Sequence, residues 1–394
     1  MLVMAGNTQI HLTRYKKRLL ISFLAITSLF SSGYSQTFIN QTIDQGGLTR
    51  EYSIYVPASY DGTTNFPLLF NLHGGGGTNS AWQVASDMRP IADTANFIVV
   101  YPQARPDPSD GNSFNWIPKV PGTFDDVPFF SSLIDTIASN YQIDQNRIYT
   151  CGYSLGGDMT FELGCKLNNR IAAIAPVART MQANPNSFCS PVHPTGVLTI
   201  LGSNDFISPY NGITYGGIEY YLSAAATHRY WATHNNCDTT ANMISVSPSV
   251  ERYTWSTASG CDYVEELKVI GGGHDWPGSF GDMTIDASSE IWQFVSRYDI
   301  NGLIECSTSS ITKDNNIKGN FRVYPNPVKD AIHISVGSEF IGNRYAITSI
   351  SGQKIFEGKI EKEESVVNIQ DLSEGIYLMQ LDENIHKSFK IIKQ

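Results

Sequence analysis

The sequence has few charged residues, and acidic ones predominate among them. Only 16% of the 394 residues are charged, and the formal net charge is −10. A soluble protein usually carries about a quarter charged residues, so this low fraction favours an extracellular protein over a cytosolic one. An acidic chain is repelled by phosphate backbones, and we therefore expect no nucleic-acid partner.

The sequence also lacks the cysteine spacings of metal sites. None of its six cysteines falls in a CxxC or Cys/His pattern typical of zinc. In an exported protein, cysteines can pair in many arrangements. We favour a disulfide between Cys237 and Cys261, because both flank a polar, turn-rich segment. A pair between Cys165 and Cys189 is the second choice.

No hydrophobic run is long enough to cross a membrane. Four basic residues at positions 14–18 precede the short apolar run Leu19–Phe30, and small residues follow up to position 35. This order is typical of a secretory signal peptide over residues 1–35, cleaved after Ser35. A membrane anchor is the alternative, but spanning a bilayer requires about 20 apolar residues. We expect a secreted chain, extracellular or attached to the cell surface, with no transmembrane span after cleavage.

Apolar strands alternate with helices from residue 36 to residue 300. The predicted strands are Glu51–Val56, Pro67–Leu72, Phe97–Tyr101, Arg147–Cys151, Ile171–Ala178, Val197–Leu201 and Val264–Ile270. The predicted helices are Trp82–Ala95 (broken at Pro90), Val127–Tyr141, Tyr220–His234 and Ile285–Tyr298. This alternation predicts an α/β fold with a mostly parallel sheet covered on both faces. Sites in such sheets lie at the carboxyl ends of the strands.

The pattern changes beyond residue 300. Residues 301–319 are polar and rich in Ser, Asn and Gly, which predicts a linker. Residues 320–394 contain only short apolar runs separated by turn residues. We expect them to form a small all-β sandwich of about six or seven strands.

The segment Gly152–Gly156 (GYSLG) matches the pattern G-x-S-x-G. In this motif the serine lies on a strained turn between a strand and a helix, and the glycines permit the sharp turn and close packing. A predicted strand ends at Cys151, and a predicted helix runs from Asp158. We therefore expect Ser154 to be a nucleophile, with a purely structural glycine turn as the alternative.

A second glycine-rich segment, His73–Gly77 (HGGGG, here the glycine loop), follows the predicted strand that ends at Leu72. In folds with such a serine, this loop donates one backbone amide to the oxyanion, and the residue after the nucleophile donates the other. We expect Gly75 to be the donor from the loop, with Gly76 as the second choice. The donor after the nucleophile is Leu155. A phosphate-binding loop is the alternative, but the GxGxxG spacing and the Lys-Ser/Thr pair are absent.

A serine nucleophile on such a turn works with an acid and a histidine, and in the chain the acid follows the serine and precedes the histidine. Asp205 lies just after the predicted strand that ends at Leu201. The competing acids are less well placed. Asp262 precedes a strand, and Asp282 lies beyond the best histidine.

That histidine is His274, which lies in GGGHDWPG after the predicted strand EELKVI. His228 and His234 fall on a predicted helix and are expected to be surface or packing residues. The sequence therefore predicts a Ser154, Asp205, His274 triad that cleaves esters through an acyl-enzyme. Such chemistry requires neither a metal ion nor an organic cofactor, and we expect none.

With these motifs placed, residues 48–298 resemble the poly(3-hydroxybutyrate) depolymerase-like esterases, a group that includes the feruloyl and acetylxylan esterases of carbohydrate esterase family 1. The resemblance is carried, in order, by LHGGGG, VVYPQA, FNW, FDDVPF, DQNRIYTCGYSLGG, IAAIAPVA, GSNDFISPYNG and GGGHDWPG. It implies an α/β-hydrolase fold with Ser154 as nucleophile, Asp205 as acid and His274 as base. Leu155 departs from the family, in which a small residue is common there, but its backbone amide remains.

The C-terminal segment is similar to the type A sorting domain of the Bacteroidetes type IX secretion system. The matching stretches are VYPNPVKD, EGIYLMQL and the basic end KSFKIIKQ. The resemblance implies export by the type IX machinery, followed by removal of the tail or its use in surface attachment. A carbohydrate-binding or adhesion sandwich is the alternative, and the absence of tryptophan from the tail argues against sugar binding.

The resemblance leaves the substrate open. We favour feruloyl or acetyl esters of plant cell-wall polysaccharide, with Trp116, Trp276 and Tyr153 lining the binding site. Core packing of both tryptophans is the alternative. The second hypothesis is an extracellular polyester depolymerase, the third a serine peptidase, and the fourth a non-catalytic surface binding protein.

Overall fold

The computed structural model describes residues 37–118, 120–304, 322–324, 328–349, 354–373, 375–381 and 388–393. The predicted signal peptide lies outside the described residues, as does most of the predicted linker. Within the described ranges, no helix is both long enough and apolar enough to cross a membrane.

Strands and helices alternate through residues 37–304. The strands are β1 (Thr37–Gln45), β2 (Leu48–Val56), β3 (Phe66–Leu72), β4 (Ile98–Pro102), β5 (Arg105–Asp107), β6 (Ser113–Asn115), β7 (Ile143–Tyr153), β8 (Ala173–Val177), β9 (Gly196–Gly202), β10 (Ile213–Tyr215), β11 (Ile218–Tyr221), β12 (Asn242–Ser247), β13 (Val250–Ser256), β14 (Asp262–Val269), β15 (Tyr298–Asp299) and β16 (Gly302–Leu303). The α-helices are α1 (Asn79–Ala85), α2 (Arg89–Ala95), α3 (Val127–Asn140), α4 (Leu155–Lys166), α5 (Ala224–His234) and α6 (Ala287–Val295).

Ten of these strands form one sheet, in the order β1-β2-β4-β3-β7-β8-β9-β14-β13-β12. Neighbours from β4 to β14 run parallel, and the pairs outside them are antiparallel. Strands β3, β4, β8 and β9 are buried along their whole length, as parallel strands covered by helices on both faces must be. The predicted α/β fold with a mostly parallel sheet is confirmed.

The sequence patterns did less well at the margins of the sheet and at one helix. Strands β1, β12 and β13 were not predicted, and β12 is almost entirely exposed, with no buried side to mark it as a strand of the core. The predicted helix Tyr220–His234 is wrong at its start. Residues 218–221 form β11, and α5 begins only after Ser223, whose Oγ accepts a hydrogen bond from the Ala226 amide. The predicted helix Trp82–Ala95 is two helices, α1 and α2, but the break lies at residues 86–88, and Pro90 stands in the first turn of α2 rather than at the break.

One of the two predicted disulfides is present. Cys165, near the end of α4, is bonded to Cys189. The favoured pairing of Cys237 with Cys261 is wrong, because Cys237 is a buried thiol and Cys261 takes part in a disulfide that does not include it. The backbone of Cys237 pairs with that of Thr257, so the register of this bridge does not place Cys237 opposite Cys261.

The C-terminal residues form two small antiparallel sheets, as the sequence predicts. Their strands are β17 (Arg322–Tyr324), β18 (Ala331–Ser335), β19 (Arg344–Ser349), β20 (Lys354–Lys359), β21 (Glu364–Asn368), β22 (Gly375–Leu381) and β23 (Ser388–Lys393). The sheet orders are β17-β18-β21 and β20-β19-β22-β23. Both sheets contribute to one buried apolar cluster, which includes Ile332 and Ile334 from the first and Ile347 and Met379 from the second.

Candidate active site

Ser154 lies on a strained turn at the carboxyl end of the central strand β7. Its backbone dihedral angles are φ 54° and ψ −118°, and α4 begins at the next residue. A positive φ is unfavourable for a non-glycine residue, and such strain concentrates at functional sites. The turn is held by the Ser154 amide, which donates to the Val177 carbonyl at 3.0 Å.

The two glycines of the motif are required by close backbone contacts. A Cβ placed on Gly152 would lie 2.4 Å from the Gly156 carbonyl oxygen. A Cβ placed on Gly156 would lie 2.4 Å from the Leu72 carbonyl oxygen and 2.6 Å from that of His73. The first turn of α4 therefore packs directly on the chain that enters the glycine loop, with no room for side chains between them.

The predicted acid and base meet through their side chains. Asp205 follows β9 and His274 follows β14, and Asp205 Oδ2 lies 2.7 Å from His274 Nδ1. The second oxygen, Asp205 Oδ1, accepts hydrogen bonds from the amides of Ile207 and Ser208, both at 2.8 Å. Burial by itself raises the pKa of Asp205, but these hydrogen bonds outweigh it and hold the pKa below its usual value. The carboxylate is thus ionised at neutral pH and orients the imidazole.

Tyr153 connects the nucleophile turn to the histidine loop. Its hydroxyl donates to the His274 carbonyl oxygen at 2.7 Å, and the centroids of the two rings are 4.9 Å apart. The Tyr153 ring also stacks on Trp82, at 5.3 Å between centroids. Since Tyr153 immediately precedes Ser154, these contacts bring His274 to the same end of the sheet as the serine. The half-buried Tyr153 ring lies among these aromatic rings.

The glycine loop lies beside Leu155, as the sequence predicts for a pair of oxyanion donors. A Cβ on Gly75 would lie 2.6 Å from Leu155 Cδ1, so the leucine side chain lies directly against Gly75, which is itself exposed. Gly76 is the second-choice donor, but its amide donates to the Phe114 carbonyl at 2.8 Å. That hydrogen bond leaves Gly76 unable to serve an oxyanion, and Gly75 is the better candidate. The amides at the start of α4 have no partner within the helix, which favours Leu155 as the second donor.

His73 anchors the base of the glycine loop. Its Nε2 accepts a hydrogen bond from the Ala104 amide at 3.1 Å, so the proton is on Nδ1, which lies 2.7 Å from the Gly74 carbonyl oxygen. Burial lowers the pKa of His73 to about 4. The neutral imidazole therefore fixes the loop at physiological pH. His73 was not among the predicted site residues, although its position beside the glycines was a signal.

Two of the three predicted substrate-binding residues are buried. Trp116 is 1% exposed, and its Nε1 donates to the His73 carbonyl at 2.8 Å. Trp276 is also 1% exposed, with Nε1 3.2 Å from Ser288 Oγ. Neither indole has a face available to a substrate, because each is enclosed by the core and bonded within it. The prediction that these two tryptophans line the binding site is therefore wrong, and the alternative of core packing applies. Trp116 instead supports the glycine loop through its hydrogen bond to the His73 carbonyl.

A buried ion pair lies next to the Ser154 turn and was not predicted. Arg179 follows β8, and its Nε donates to Asp158 Oδ2, in the first turn of α4, at 2.8 Å. The Tyr221 hydroxyl bonds to the same carboxylate oxygen at 3.2 Å, and the guanidinium lies 4.0 Å above the Tyr221 ring. Both charged side chains are almost fully buried. This network ties the strand pair β10–β11 to the nucleophile helix.

The rejected histidines are placed elsewhere. His228 is buried, with Nε2 2.7 Å from Thr199 Oγ1, and burial lowers its pKa to about 3. His234 Nε2 lies 3.1 Å from the His193 carbonyl oxygen. The competing Asp282 accepts from the Thr284 amide within its own turn. Across the described residues there is no group of three or more metal-ligating side chains placed to hold an ion.

The sheet order, the strained serine turn and the acid–histidine pair together are those of an α/β-hydrolase. Comparisons with known proteins agree with the resemblance described above. Residues 322–394 match the secretion system C-terminal sorting domain family.

Three relatives are similar to the part of the chain that precedes the sorting domain. The chain is 29% identical to the bifunctional acetylxylan esterase/xylanase XynS20E of Neocallimastix patriciarum over 68% of its length and 36% of the relative's. It is 28% identical to feruloyl esterase B of Piromyces equi, over 64% of its length and 46% of the relative's. It is 26% identical to poly(3-hydroxyalkanoate) depolymerase C of Paucimonas lemoignei, over 67% and 68%. The chain thus spans less than half of the length of the first two.

Among solved structures, an acetyl xylan esterase from Aspergillus awamori aligns with a TM-score of 0.48 at 14% identity, covering 66% of this chain and 99% of that one. The sequence similarities show that the chain is related to feruloyl esterases, acetylxylan esterases and polyhydroxyalkanoate depolymerases. The predicted resemblance to this group is confirmed.

Proposed function

We propose that this protein is a secreted serine carboxylesterase and that Ser154, Asp205 and His274 are its catalytic triad. The observation that carries the proposal is the strained Ser154 turn, which packs against the glycine loop. Asp205 and His274 are hydrogen-bonded to each other at the same carboxyl ends of the strands. Ser154 is partly exposed. An accessible nucleophile, an oriented base and backbone donors are the parts that acyl transfer requires.

The reaction proceeds in two steps on this geometry. His274 accepts the proton of Ser154 Oγ as that oxygen attacks the ester carbonyl, and the Asp205 carboxylate stabilises the resulting imidazolium. The amides of Gly75 and Leu155 donate to the oxyanion, and each such donor stabilises the transition state by about 3 kcal/mol. The alcohol leaves with the proton from His274. Water, activated by the same histidine, then hydrolyses the acyl-enzyme.

The proposed substrates are feruloyl or acetyl esters of plant cell-wall polysaccharide. Two of the relatives are an acetylxylan esterase/xylanase and a feruloyl esterase, and their names support this choice over other esters. Tyr153 is the one predicted substrate-binding residue that is not fully buried, and it stays in the proposed site.

A polyester depolymerase is the second candidate, and one observation favours it. Phe206, the residue after the catalytic acid, is 83% exposed, and Ile207 is 53% exposed. Exposed apolar side chains beside a catalytic site are typical of a contact with an apolar surface. Two polyhydroxyalkanoate depolymerases are also among the relatives.

We further propose that the C-terminal sheets direct the protein through the type IX secretion machinery to the cell surface or beyond. The match of residues 322–394 to the sorting family supports this. The tail is then removed or retained as an attachment.

The test uses the chain without its predicted signal peptide, residues 36–394, on methyl ferulate, acetylated xylan and suspended poly(3-hydroxybutyrate). Release of ferulate or acetate, reduced by at least about 10⁴-fold in Ser154→Ala, supports the cell-wall esterase. Clearing of the polymer suspension alone reverses the ranking. If all three substrates and short nitrophenyl esters remain intact, the catalytic proposal fails and a surface binding protein becomes the better explanation.

A further inference from the structure

Two neighbouring cavities lie on the outer side of the glycine loop. One encloses about 350 Å³ between the start of β2, the start of α1 and the β5–β6 hairpin. The other encloses about 510 Å³ between β1, β2 and α1. Glu51, Asn79 and Ser80 line both cavities, so the two form one continuous depression, here called the lateral groove. Each part has the size of a small-molecule site.

The lateral groove borders the glycine loop of the proposed catalytic centre. Thr78, the residue after the glycine loop, and Phe114 of β6 both line it. The Phe114 carbonyl accepts the hydrogen bond from the Gly76 amide. On the other side of the same hairpin, Asn115 Oδ1 would lie 3.4 Å from a Cβ on Gly75. The β5–β6 hairpin is therefore a shared wall between the groove and the proposed oxyanion donors.

The lining of the groove is polar and carries charges of both signs. Its polar side chains are Asn40, Gln41, Thr42, Thr49, Glu51, Thr78, Asn79, Ser80, Gln103 and Arg105. A second arginine, Arg50, is neutralised by Asp126, with Nη1 and Oδ1 2.6 Å apart. Hydroxyl, amide and carboxylate groups in this mixture match a ligand with many hydroxyls rather than a phosphate or a hydrocarbon.

Two further features point to a ligand. Arg105 lines the groove, and its guanidinium lies 4.7 Å from the Phe124 ring, which holds a hydrogen-bond donor beside the cavity. Pro106 and Phe114 face each other across the β5–β6 pair and supply an apolar patch in the otherwise polar lining. A polar groove with one apolar patch suits a sugar ring, which presents hydroxyls at its edge and C–H groups on its face.

We propose that the lateral groove binds the hydroxyl-rich polysaccharide chain that carries the ester. This inference rests on the proposed esterase function and specifies its substrate as polymeric carbohydrate rather than polyester. The groove holds sugar units beyond the reacting bond, so it raises the affinity for the polymer without taking part in the chemistry.

The binding test uses a tyrosine that fills the groove. Ser80 is exposed and lines both cavities, whereas Val84, one turn later on α1, is 71% exposed and lines neither. Both substitutions are made in Ser154→Ala, residues 36–394, and titrated with xylohexaose by calorimetry. We expect Ser80→Tyr to weaken binding by at least about tenfold and Val84→Tyr to leave it unchanged. Equal affinity in all three proteins, or no binding in Ser154→Ala, overturns the proposal.

The kinetic test separates the groove from the catalytic centre. With Ser154 intact, we expect Ser80→Tyr to raise KM for feruloylated arabinoxylan about tenfold and to leave turnover of methyl ferulate unchanged. Equal losses on both substrates, or a loss on poly(3-hydroxybutyrate) instead, overturn the groove as a carbohydrate site. If the unsubstituted protein cleaves no ester, the esterase proposal fails, and the xylohexaose titration still decides the groove.

Discussion

On the β3–β7 side of the site, Ser154 and the glycine loop approach each other through bare backbone. A Cβ on Gly156 would lie within 2.6 Å of two carbonyl oxygens there. On the β9–β14 side, Asp205 and His274 come from separate loops and meet through a side-chain hydrogen bond of 2.7 Å. The first half is held by backbone contacts, whereas the second adds the Asp205–His274 hydrogen bond to a backbone contact of its own, since a Cβ on Gly202 would lie 2.3 Å from the Gly273 carbonyl oxygen. Substitutions at the backbone contacts are therefore expected to cost stability and activity together, and substitutions of the Asp205–His274 pair to cost activity alone.

The largest effect is expected for Asp205→Asn, which breaks the side-chain half. The amide cannot stabilise the imidazolium and favours the wrong imidazole tautomer, so kcat falls by about 10⁴-fold. The melting temperature should change little. Hydrolysis of methyl ferulate measures the loss, with Asp282→Asn as control, since that acid bonds within its own turn. More than a tenth of the activity in Asp205→Asn would show that another residue is the acid.

Gly156→Ala is expected to break the backbone half and to destabilise the fold by about 3 kcal/mol, with loss of activity. The physical reason is overlap with the carbonyl groups of Leu72 and His73, which cannot move independently of β3. Gly273→Ala is the matched change in the other half, because a Cβ there would meet nothing closer than 3.5 Å. Urea unfolding compares the two. Equal stability of both variants would mean that the contrast between the halves is wrong.

The smallest effect concerns pH and the glycine loop. His73 titrates at about 4 when folded, against a usual value of 6.5. Between these values the unfolded chain binds more protons, so stability falls as the pH is lowered through this range. Between pH 7 and pH 5 this histidine alone should lower the free energy of unfolding by about 2 kcal/mol.

Urea unfolding measures how far the free energy of unfolding falls between pH 7 and pH 5. In His73→Gln this fall should be smaller by about 2 kcal/mol. The matched variant His228→Gln removes the other strongly buried histidine and serves as reference, since its pKa is also lowered. An unchanged decline in His73→Gln would show that the imidazole is protonated in the folded protein or that its bonds to the loop are absent.

The proposed site was predicted from short motifs that follow recognisable strand ends. Ser154, Asp205 and His274 each follow a predicted parallel strand, and chain order alone distinguished Asp205 from Asp282. The errors have a common cause. The exposure of Trp116 and Trp276, the amide partner of Gly76 and the choice of cysteines that pair all depend on residues distant in the chain, which no local pattern records.

By itself, the sequence determined the α/β class, the elements that carry the proposed triad and the small β-rich tail, because local periodicity and turn residues encode these directly. Only the tertiary structure decided which amides stay available at the glycine loop, which aromatic rings are buried, and that a polar groove adjoins the oxyanion side. These properties arise from packing between β3, β7 and the β5–β6 hairpin, and close packing is a relation between distant segments that neither segment specifies alone.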